Sequence, residues 1–161
     1  GTSQERAKQI IDGGFNLGGG RRGKGVYFWS EGPNADRLAR DWFRQACEAG
    51  NYRTETNPQA AIVRASITVD VTEFMDCKDP EIAAMLERAS MSYAGRRVNN
   101  SDMSGFYEAF YLAYERKSHR KIKLIQTDVS PPGPSKDWYP VPLLGHPSCY
   151  VVRDRECIAI L

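Results

Sequence analysis

Apolar residues recur at two different spacings along the chain, and the two spacings predict different elements. Four segments place an apolar residue every three or four positions, which is typical of helices that bury one side. These helices are expected to begin at a capping box in Thr2-Ser3-Gln4-Glu5, after Asn34, at Asp79-Pro80 and at Gly105. Their expected buried residues are Ala7, Ile10 and Ile11, then Leu38, Ala39, Trp42, Phe43 and Ala46, then Ile82, Met85, Leu86 and Ala89, and finally the aromatic residues Phe106, Tyr107, Phe110, Tyr111 and Tyr114.

Shorter apolar runs predict strands over residues 25–29, 61–71, 122–127, 149–153 and 157–161. Polar or proline-rich segments at residues 50–59, 93–104 and 130–142 separate the elements and are expected to be connections. The strands do not alternate one for one with the helices, so the order of elements predicts an α+β protein. A length of 161 residues predicts a single domain over residues 1–161 with a sizeable core.

The composition is that of an ordinary globular protein, with 41% hydrophobic and 26% charged residues and a net charge of +2. That charge is too small to indicate a nucleic-acid-binding protein by itself. The four cysteines show no Cys-x-x-Cys spacing and the two histidines add no ligand pattern, so we expect reduced thiols and no metal site. No apolar run reaches the length of a membrane span and no signal peptide is evident, so we expect a cytoplasmic protein without a membrane partner.

The most distinctive segment is the Gly-Gly-Gly-Arg-Arg-Gly-Lys-Gly run over residues 18–25. Glycine permits positive φ and a close approach of ligand to main chain, and the cations of the run would favour an anionic ligand. The letters match the dinucleotide-binding fingerprint and nearly match the P-loop, but both motifs need a strand before the glycines and a helix after them. Here a helix precedes the run and a strand follows it, and Gly25 stands where the P-loop has serine or threonine. We therefore reject both motifs.

A second candidate for binding is the basic segment at residues 116–123, which contains Arg116, Lys117, Arg120, Lys121 and Lys123. Such a run is usually a solvated surface, but it can also contact a phosphate backbone. The aromatic segment just before it, residues 105–115, is expected to pack in the core rather than to stack on bases, because helical apolar stripes usually face a core.

Several of these features, taken in order, resemble the ADP-ribosyltransferase domain of the poly(ADP-ribose) polymerase and diphtheria-toxin kind. In that family a strand ending in His-Gly-Thr/Ser is followed by a helix, by Gly-Phe, and by a glycine-rich loop that leads into Gly-x-Gly-Val-Tyr-Phe. This chain has Gly1-Thr2-Ser3, Gly14-Phe15 and Gly-Lys-Gly-Val-Tyr-Phe at residues 23–28, in the same order and spacing. Its Cys-Tyr-Val-Val-Arg-Asp at residues 149–154 resembles the family's late strand, Glu-Tyr-Val/Ile-Val-x-Asp. The resemblance is closest to bacterial single-domain members, and its specific motifs lie near the two ends of the chain.

The resemblance implies an ADP-ribosyltransferase-like split mixed or antiparallel sheet with flanking helices, and NAD as a substrate. It implies that the backbone of Gly1 holds the nicotinamide carboxamide and that Tyr27 lies against the nicotinamide, where an aromatic face can stack on a cationic ring. It also implies a charge-assisted contact from Arg21 or Arg22 near the ribose and phosphates. The NAD-binding residues expected on this basis are Gly1, Thr2, Arg21, Arg22, Gly25, Tyr27 and Phe28, and the catalytic residues are Tyr27 and Cys149.

Two positions depart from the family pattern. The family's histidine would come immediately before Gly1, and Cys149 stands where the family has its catalytic glutamate. That glutamate stabilises the oxocarbenium-like state as nicotinamide leaves, a task for which a neutral thiol lacks the charge. A buried cysteine keeps its proton unless cations or a helix end lower its pKa, so Cys149 is also explained as a small apolar strand residue. Glu108 and Glu156 are the alternative carboxylates.

We therefore expect an NAD-binding ADP-ribosyltransferase that transfers ADP-ribose to a macromolecular acceptor, either a protein or a nucleic acid, or that hydrolyses NAD. Two alternatives stay open. One is a catalytically inactive module that binds NAD or ADP-ribose, and the other is a nucleic-acid-binding domain that uses residues 116–123.

Overall fold

The structure, a computed structural model, describes residues 1–56 and 58–161. Asn57, which belongs to the predicted connection at residues 50–59, lies outside the described residues. The helices are α1 (Gln4–Gly13), α2 (Ala35–Glu48), α3 (Pro80–Ser90), α4 (Asn100–Ser118) and α5 (Val141–Leu144). The strands are β1 (Thr2–Ser3), β2 (Val26–Trp29), β3 (Ala60–Ala61), β4 (Ala65–Ile67), β5 (Phe74–Asp76), β6 (Leu124–Asp128), β7 (Ser148–Val152) and β8 (Ile158–Ile160). The α+β class predicted from the sequence is confirmed.

The largest sheet has the strand order β2-β7-β6-β5, and two shorter antiparallel pairs, β1-β3 and β4-β8, form separate sheets. Strands β2, β7 and β6 are antiparallel neighbours, whereas β5 joins β6 in parallel. Tyr27 lies opposite Val151, and Cys149 lies opposite Trp29 on one side and Thr127 on the other. Because residues two apart on a strand and residues directly opposite share a face, Tyr27, Cys149 and Thr127 lie on the same face of this sheet.

Both faces of the large sheet are covered, which explains why its strands read as nearly continuous apolar runs. The face that carries Ile125 and Val151 packs on Ile82 of α3 and on Phe110 and Tyr111 of α4. The aromatic segment therefore contributes to the core, as predicted. The other face packs on residues that follow α1 and on the β4-β8 pair, and its members include Val26, Leu124, Val152, Phe15, Leu17, Ile67 and Ile158.

Several details of the helices differ from the sequence prediction. Ile11 of α1 and Ala89 of α3, both expected to be buried, are exposed, because each lies on the side of its helix that faces away from the core. The N-cap of α1 is Ser3 rather than Thr2, because the Ser3 hydroxyl accepts the main-chain N–H of Arg6 at 3.2 Å. In α2, Trp42 is 46% exposed, and Asp41 is buried instead. The Asp41 carboxylate accepts hydrogen bonds from Ser135 Oγ at 2.8 Å and Trp138 Nε1 at 2.7 Å, so it attaches the proline-rich segment to this helix.

Two connections also differ from their prediction. The single strand expected over residues 61–71 is divided into β3 and β4, and a 3-10 turn at Val71–Glu73 leads into β5, which the apolar pattern missed. The Asp70 side chain starts that turn by accepting the Thr72 N–H at 2.8 Å. Helix α4 begins at Asn100, inside the connection expected at residues 93–104, because Asn99 and Asp102 form a capping box.

Candidate functional site

An open cleft of about 2100 Å³ runs along β1, β2 and the first residues of β7. Every site residue expected from the sequence borders this cleft, namely Gly1, Thr2, Arg21, Arg22, Gly25, Tyr27, Phe28 and Cys149. These residues come from three parts of the chain, residues 1–2, 21–28 and 149. Tyr27 and Cys149 share one face of the large sheet, whereas Phe28 lies on the opposite face, against Phe15. Its volume exceeds the roughly 300–1,000 Å³ that is typical of small-molecule sites, because the cleft is open to solvent along its length.

The glycine-rich segment that borders the cleft is a tight hairpin. Gly18 and Gly25 exchange main-chain hydrogen bonds of 3.2 and 2.8 Å, and Gly20 and Gly23 exchange two of 3.1 Å. Arg21 and Arg22 therefore form its two-residue turn, and these four N–H groups hold the hairpin rather than a ligand. A Cβ at Gly23 would overlap the carboxylate of Glu108, and its φ of +98° also favours glycine.

Tyr27 holds this hairpin through its hydroxyl group. Its hydroxyl donates to the Gly23 carbonyl at 2.6 Å and accepts the Arg22 N–H at 3.1 Å. The ring packs so close to Gly20 that a Cβ there would overlap it. Burial raises the pKa of the Tyr27 hydroxyl to about 12, so the phenol is neutral at physiological pH. One side chain thus borders the cleft and fixes the segment that carries the two arginines.

The two arginines of the turn point in different directions. Arg21 is exposed at the cleft, whereas Arg22 turns inward. The Arg22 guanidinium donates to the Asp128 carbonyl at 2.9 Å and lies over the Tyr107 ring, 4.6 Å from its centroid. The sequence left the two residues as equal candidates for a phosphate contact. The geometry favours Arg21 for that contact, because Arg22 already has protein partners.

Gly1 and Thr2 form the wall of the cleft next to α2. A Cβ at Gly1 would overlap the carbonyl oxygen of Ala39, so only glycine fits where the main chain crosses this helix. Thr2 pairs with Ala61 across the β1-β3 sheet, and its hydroxyl lies 3.4 Å from that of Tyr52. Close packing on α2 therefore fixes the backbone at the position that the resemblance assigns to the carboxamide.

Cys149 is 3% exposed and is the second residue of β7. Burial raises the pKa of its thiol to about 12, and this effect exceeds the opposing influence of the Arg22 charge. The thiol is therefore protonated at physiological pH, and it carries no negative charge that would stabilise a developing cation. The thiol makes a weak contact of 3.6 Å with the carbonyl of Tyr150. A main-chain hydrogen bond from Phe28 acts in the same direction as the Arg22 charge, and both lower the pKa of the thiol against the larger effect of burial.

Neither alternative carboxylate suggested by the sequence borders the cleft. Glu108 accepts the Lys24 N–H and forms an ion pair with Arg153 at 3.3 Å, on the side of the hairpin that faces α4. Glu156 is exposed in the 3-10 turn Arg155–Cys157. Glu156 is therefore remote from Tyr27, whereas the charge of Glu108 is near enough to help raise the pKa of the Tyr27 hydroxyl.

Glu31 is a carboxylate at the cleft that the sequence prediction missed. It lies two residues after the end of β2 at Trp29, and it is exposed. Asp36 also borders the cleft, but both of its oxygens accept hydrogen bonds from Arg64, at 2.9 and 2.8 Å. The sequence signal that could have identified Glu31 is an acidic residue two positions after the Val-Tyr-Phe-Trp strand.

The basic segment lies outside the cleft, at the C-terminal end of α4. Arg116, Lys117, Arg120 and Lys121 are exposed and form no ion pair with any residue that the structure describes. Lys123 differs, because its ammonium group lies 2.8 Å from a Glu73 oxygen and 3.8 Å from an Asp154 oxygen. Four of the predicted cations can thus contact another molecule, whereas Lys123 is already paired with Glu73 and Asp154.

The chain was compared with protein-family models, with curated proteins and with solved structures, and none of them matches it. Within the described ranges, no helix is long and apolar enough to cross a membrane. The same residues contain no group of three or more histidine, cysteine or carboxylate side chains suited to a metal ion.

Proposed function

We propose that the chain is an ADP-ribosyltransferase-like domain that binds NAD in this cleft and transfers ADP-ribose to a macromolecular acceptor or hydrolyses NAD. The observation that supports this proposal is that all the residues expected from the resemblance border one cleft, with Tyr27 and Cys149 on the same face of two adjacent antiparallel strands.

The geometry suggests a role for each part of the cleft. The ring of Tyr27 offers an aromatic surface for nicotinamide, and the main chain at Gly1 offers hydrogen-bonding groups to its carboxamide. Arg21, exposed beside the cleft, supplies a cation for the pyrophosphate. NAD is in this proposal a substrate, which enters and leaves, rather than a resident cofactor.

The reaction needs negative charge near the ribose as nicotinamide departs. Cys149 does not supply it, since its thiol is protonated. Glu31 is the exposed carboxylate of the cleft that is not in an ion pair with a described residue. We propose Glu31 as the group that provides this charge in the absence of a glutamate at position 149.

Release of nicotinamide from NAD by the wild-type chain and by Glu31→Gln tests this assignment. We expect the variant to be slower by about 10²-fold, the usual cost of removing one stabilising group from a transition state. Glu156→Gln is the matched control, because it removes the same charge from an exposed site outside the cleft, and it should leave the rate unchanged. Equal rates for wild type and Glu31→Gln would remove Glu31 from the mechanism.

A second candidate function is a catalytically inactive module that binds NAD or ADP-ribose. One specific observation favours it, namely the buried, protonated thiol at the position of the catalytic carboxylate. Calorimetry that detects NAD binding, together with no nicotinamide release by the wild-type chain, would select this candidate.

The basic end of α4 suggests a partner. We propose that Arg116, Lys117, Arg120 and Lys121 contact the phosphates of a nucleic-acid acceptor, since they are exposed at one end of a helix. The four cysteines, all free thiols, favour a reducing compartment such as the cytoplasm.

A further inference from the structure

One side of α4 connects the cleft with the basic segment. The start of the helix borders the cleft through Asn100, Ser101, Met103 and Ser104. From there, solvent-exposed residues recur every three or four positions, at Ser101, Gly105, Ala109, Leu112, Ala113, Arg116 and Lys117. Residues at this spacing share one side of a helix. The exposed side of α4 therefore runs without interruption from the cleft to the basic segment.

The length of this side follows from helix geometry. Arg116 follows Ser101 by 15 residues, so at about 1.5 Å of rise per residue the two lie about 22 Å apart along the helix axis. Phosphates of a stacked nucleic-acid strand are about 3.4 Å apart, so about seven nucleotides cover this distance. A strand of that length can contact both ends of the exposed side, whereas a trinucleotide can contact only one.

The cations on and beside this side suit a polyanion. Arg116 and Lys117 are exposed at one end and form no ion pair with a described residue. Lys24 of the hairpin is likewise exposed, and its main-chain N–H donates to Glu108, near the middle of α4. A positive charge is thus present part of the way along the helix as well as at its basic end.

The acidic side chains of α4 are turned to partners within the protein. Glu108 and Glu115 form ion pairs with Arg153 at 3.3 and 3.0 Å. Asp102 accepts the main-chain N–H of Asn99 at 3.0 Å, as part of the capping box. A phosphate backbone that follows the exposed side therefore meets no acidic residue of this helix that lacks a partner.

We infer that a single-stranded nucleic acid lies along the exposed side of α4, with its phosphates on the basic segment at one end and a nucleotide in the cleft at the other. The inference rests on the nucleic-acid acceptor proposed above. It makes the basic segment a docking site about 22 Å from the cleft, so an acceptor needs about seven nucleotides to use both. A single strand fits better than a duplex, because paired and stacked bases are not free to enter a cleft.

Fluorescence anisotropy with labelled oligouridylates at low salt tests this arrangement, and it needs no NAD. The wild-type chain should bind a 12-nucleotide strand at least about tenfold more tightly than a trinucleotide. Ala109→Glu places a carboxylate midway along the exposed side and should weaken binding of the longer strand about fivefold by repulsion. Ala83→Glu is the matched control, because Ala83 is exposed on α3, a helix that does not border the cleft, and it should leave the affinity unchanged.

Four outcomes would overturn the inference. They are equal affinity for the two strand lengths, unchanged affinity for the longer strand in a folded Ala109→Glu protein, an equal loss of affinity in Ala83→Glu, and equally tight binding of a polyglutamate peptide. The last outcome would assign the surface to an acidic protein segment. If Ala109→Glu fails to give a cooperative thermal transition, Gly105→Glu replaces it, because a Cβ at Gly105 meets open space.

The failure of this inference is distinguishable from that of the proposed NAD site. Calorimetric binding of NAD without any binding of the 12-nucleotide strand at low salt would refute the nucleic-acid acceptor and leave the cleft as an NAD site. Binding of the strand with the expected effect of Ala109→Glu, but without binding of NAD, would refute the NAD site and leave the docking surface in place.

Discussion

Replacing Tyr27 with phenylalanine separates the two roles of this side chain, that of the ring and that of the hydroxyl. The hydroxyl donates to Gly23 O at 2.6 Å and accepts Arg22 N–H at 3.1 Å, and these bonds attach the hairpin to the sheet. A hydrogen bond in a protein contributes about 1 kcal/mol net, so losing two should lower the free energy of unfolding by about 2 kcal/mol. For a chain of this length, Tm should fall by about 4–8 °C, at about 2–4 °C per kcal/mol.

Urea or thermal unfolding followed by circular dichroism measures this change. Tyr150→Phe is the matched control, because Tyr150 is partly buried on the neighbouring strand β7 and its hydroxyl has no hydrogen-bond partner among the described residues. It should change stability by less than about 0.5 kcal/mol. A Tyr27→Phe protein as stable as the wild type would show that the hydroxyl does not hold the hairpin.

The same position tests the binding role. Tyr27→Ala removes the ring and should weaken NAD binding by about 1–2 kcal/mol, the scale of a cation–π contact. Tyr27→Phe keeps the ring and should retain most of the affinity. Equal NAD affinity of wild type and Tyr27→Ala would remove Tyr27 from the site.

Cys149→Glu places a carboxylate where the family has its glutamate and should raise NAD turnover above that of the wild type, since a missing charge of this kind costs about 10²–10³ in rate. A folded Cys149→Glu protein that turns over NAD no faster than the wild type and no faster than Cys149→Ala would contradict this. Burial raises the pKa of the Cys149 thiol to about 12 from its ordinary 9.0, so the folded state keeps a proton that the unfolded state loses above pH 9, and stability should fall as pH rises from about 9 towards 12. Between pH 9 and pH 10 the free energy of unfolding should fall by about 1 kcal/mol less in Cys149→Ala than in the wild type, as measured by urea unfolding. An identical dependence of stability on pH in the two proteins would refute the assignment to Cys149. Replacing Arg116, Lys117 and Arg120 with glutamine should weaken binding to single-stranded RNA and lower the salt slope by about 2, whereas no RNA binding by the wild type at low salt would leave these residues as a solvated surface.

The sequence was sufficient where local pattern and tertiary packing agree. Pro80 after Asp79 marked the start of α3, and the aromatic periodicity placed Phe110 and Tyr111 in the core. It was insufficient where a partner far along the chain decides the outcome. Asp41 is buried because Ser135 and Trp138 donate to it, and no local pattern contains that information.

The candidate site shows the same division. The motifs named residues that border the cleft, and their role in NAD binding stays a prediction. They did not predict how the glycine-rich segment closes on itself. That closure depends on Tyr27, on Glu108 and on φ at Gly23, and it decides that Arg21 points outward and Arg22 inward. Glu31 was missed because an acidic residue after a strand is ordinary until its position beside the cleft is known.

Titration of the isotope-labelled chain with NAD, followed by amide chemical shifts, reports which part of the surface the ligand contacts. We expect saturable shifts at Thr2, Arg21, Tyr27 and Cys149, which border the cleft. We expect no comparable shifts at Arg116 and Lys117 in the last turn of α4 or at Arg120 and Lys121 just after it, because these residues lie outside the cleft. An unchanged spectrum at millimolar NAD, or shifts confined to the basic end of α4, would contradict the proposal that this cleft is an NAD site.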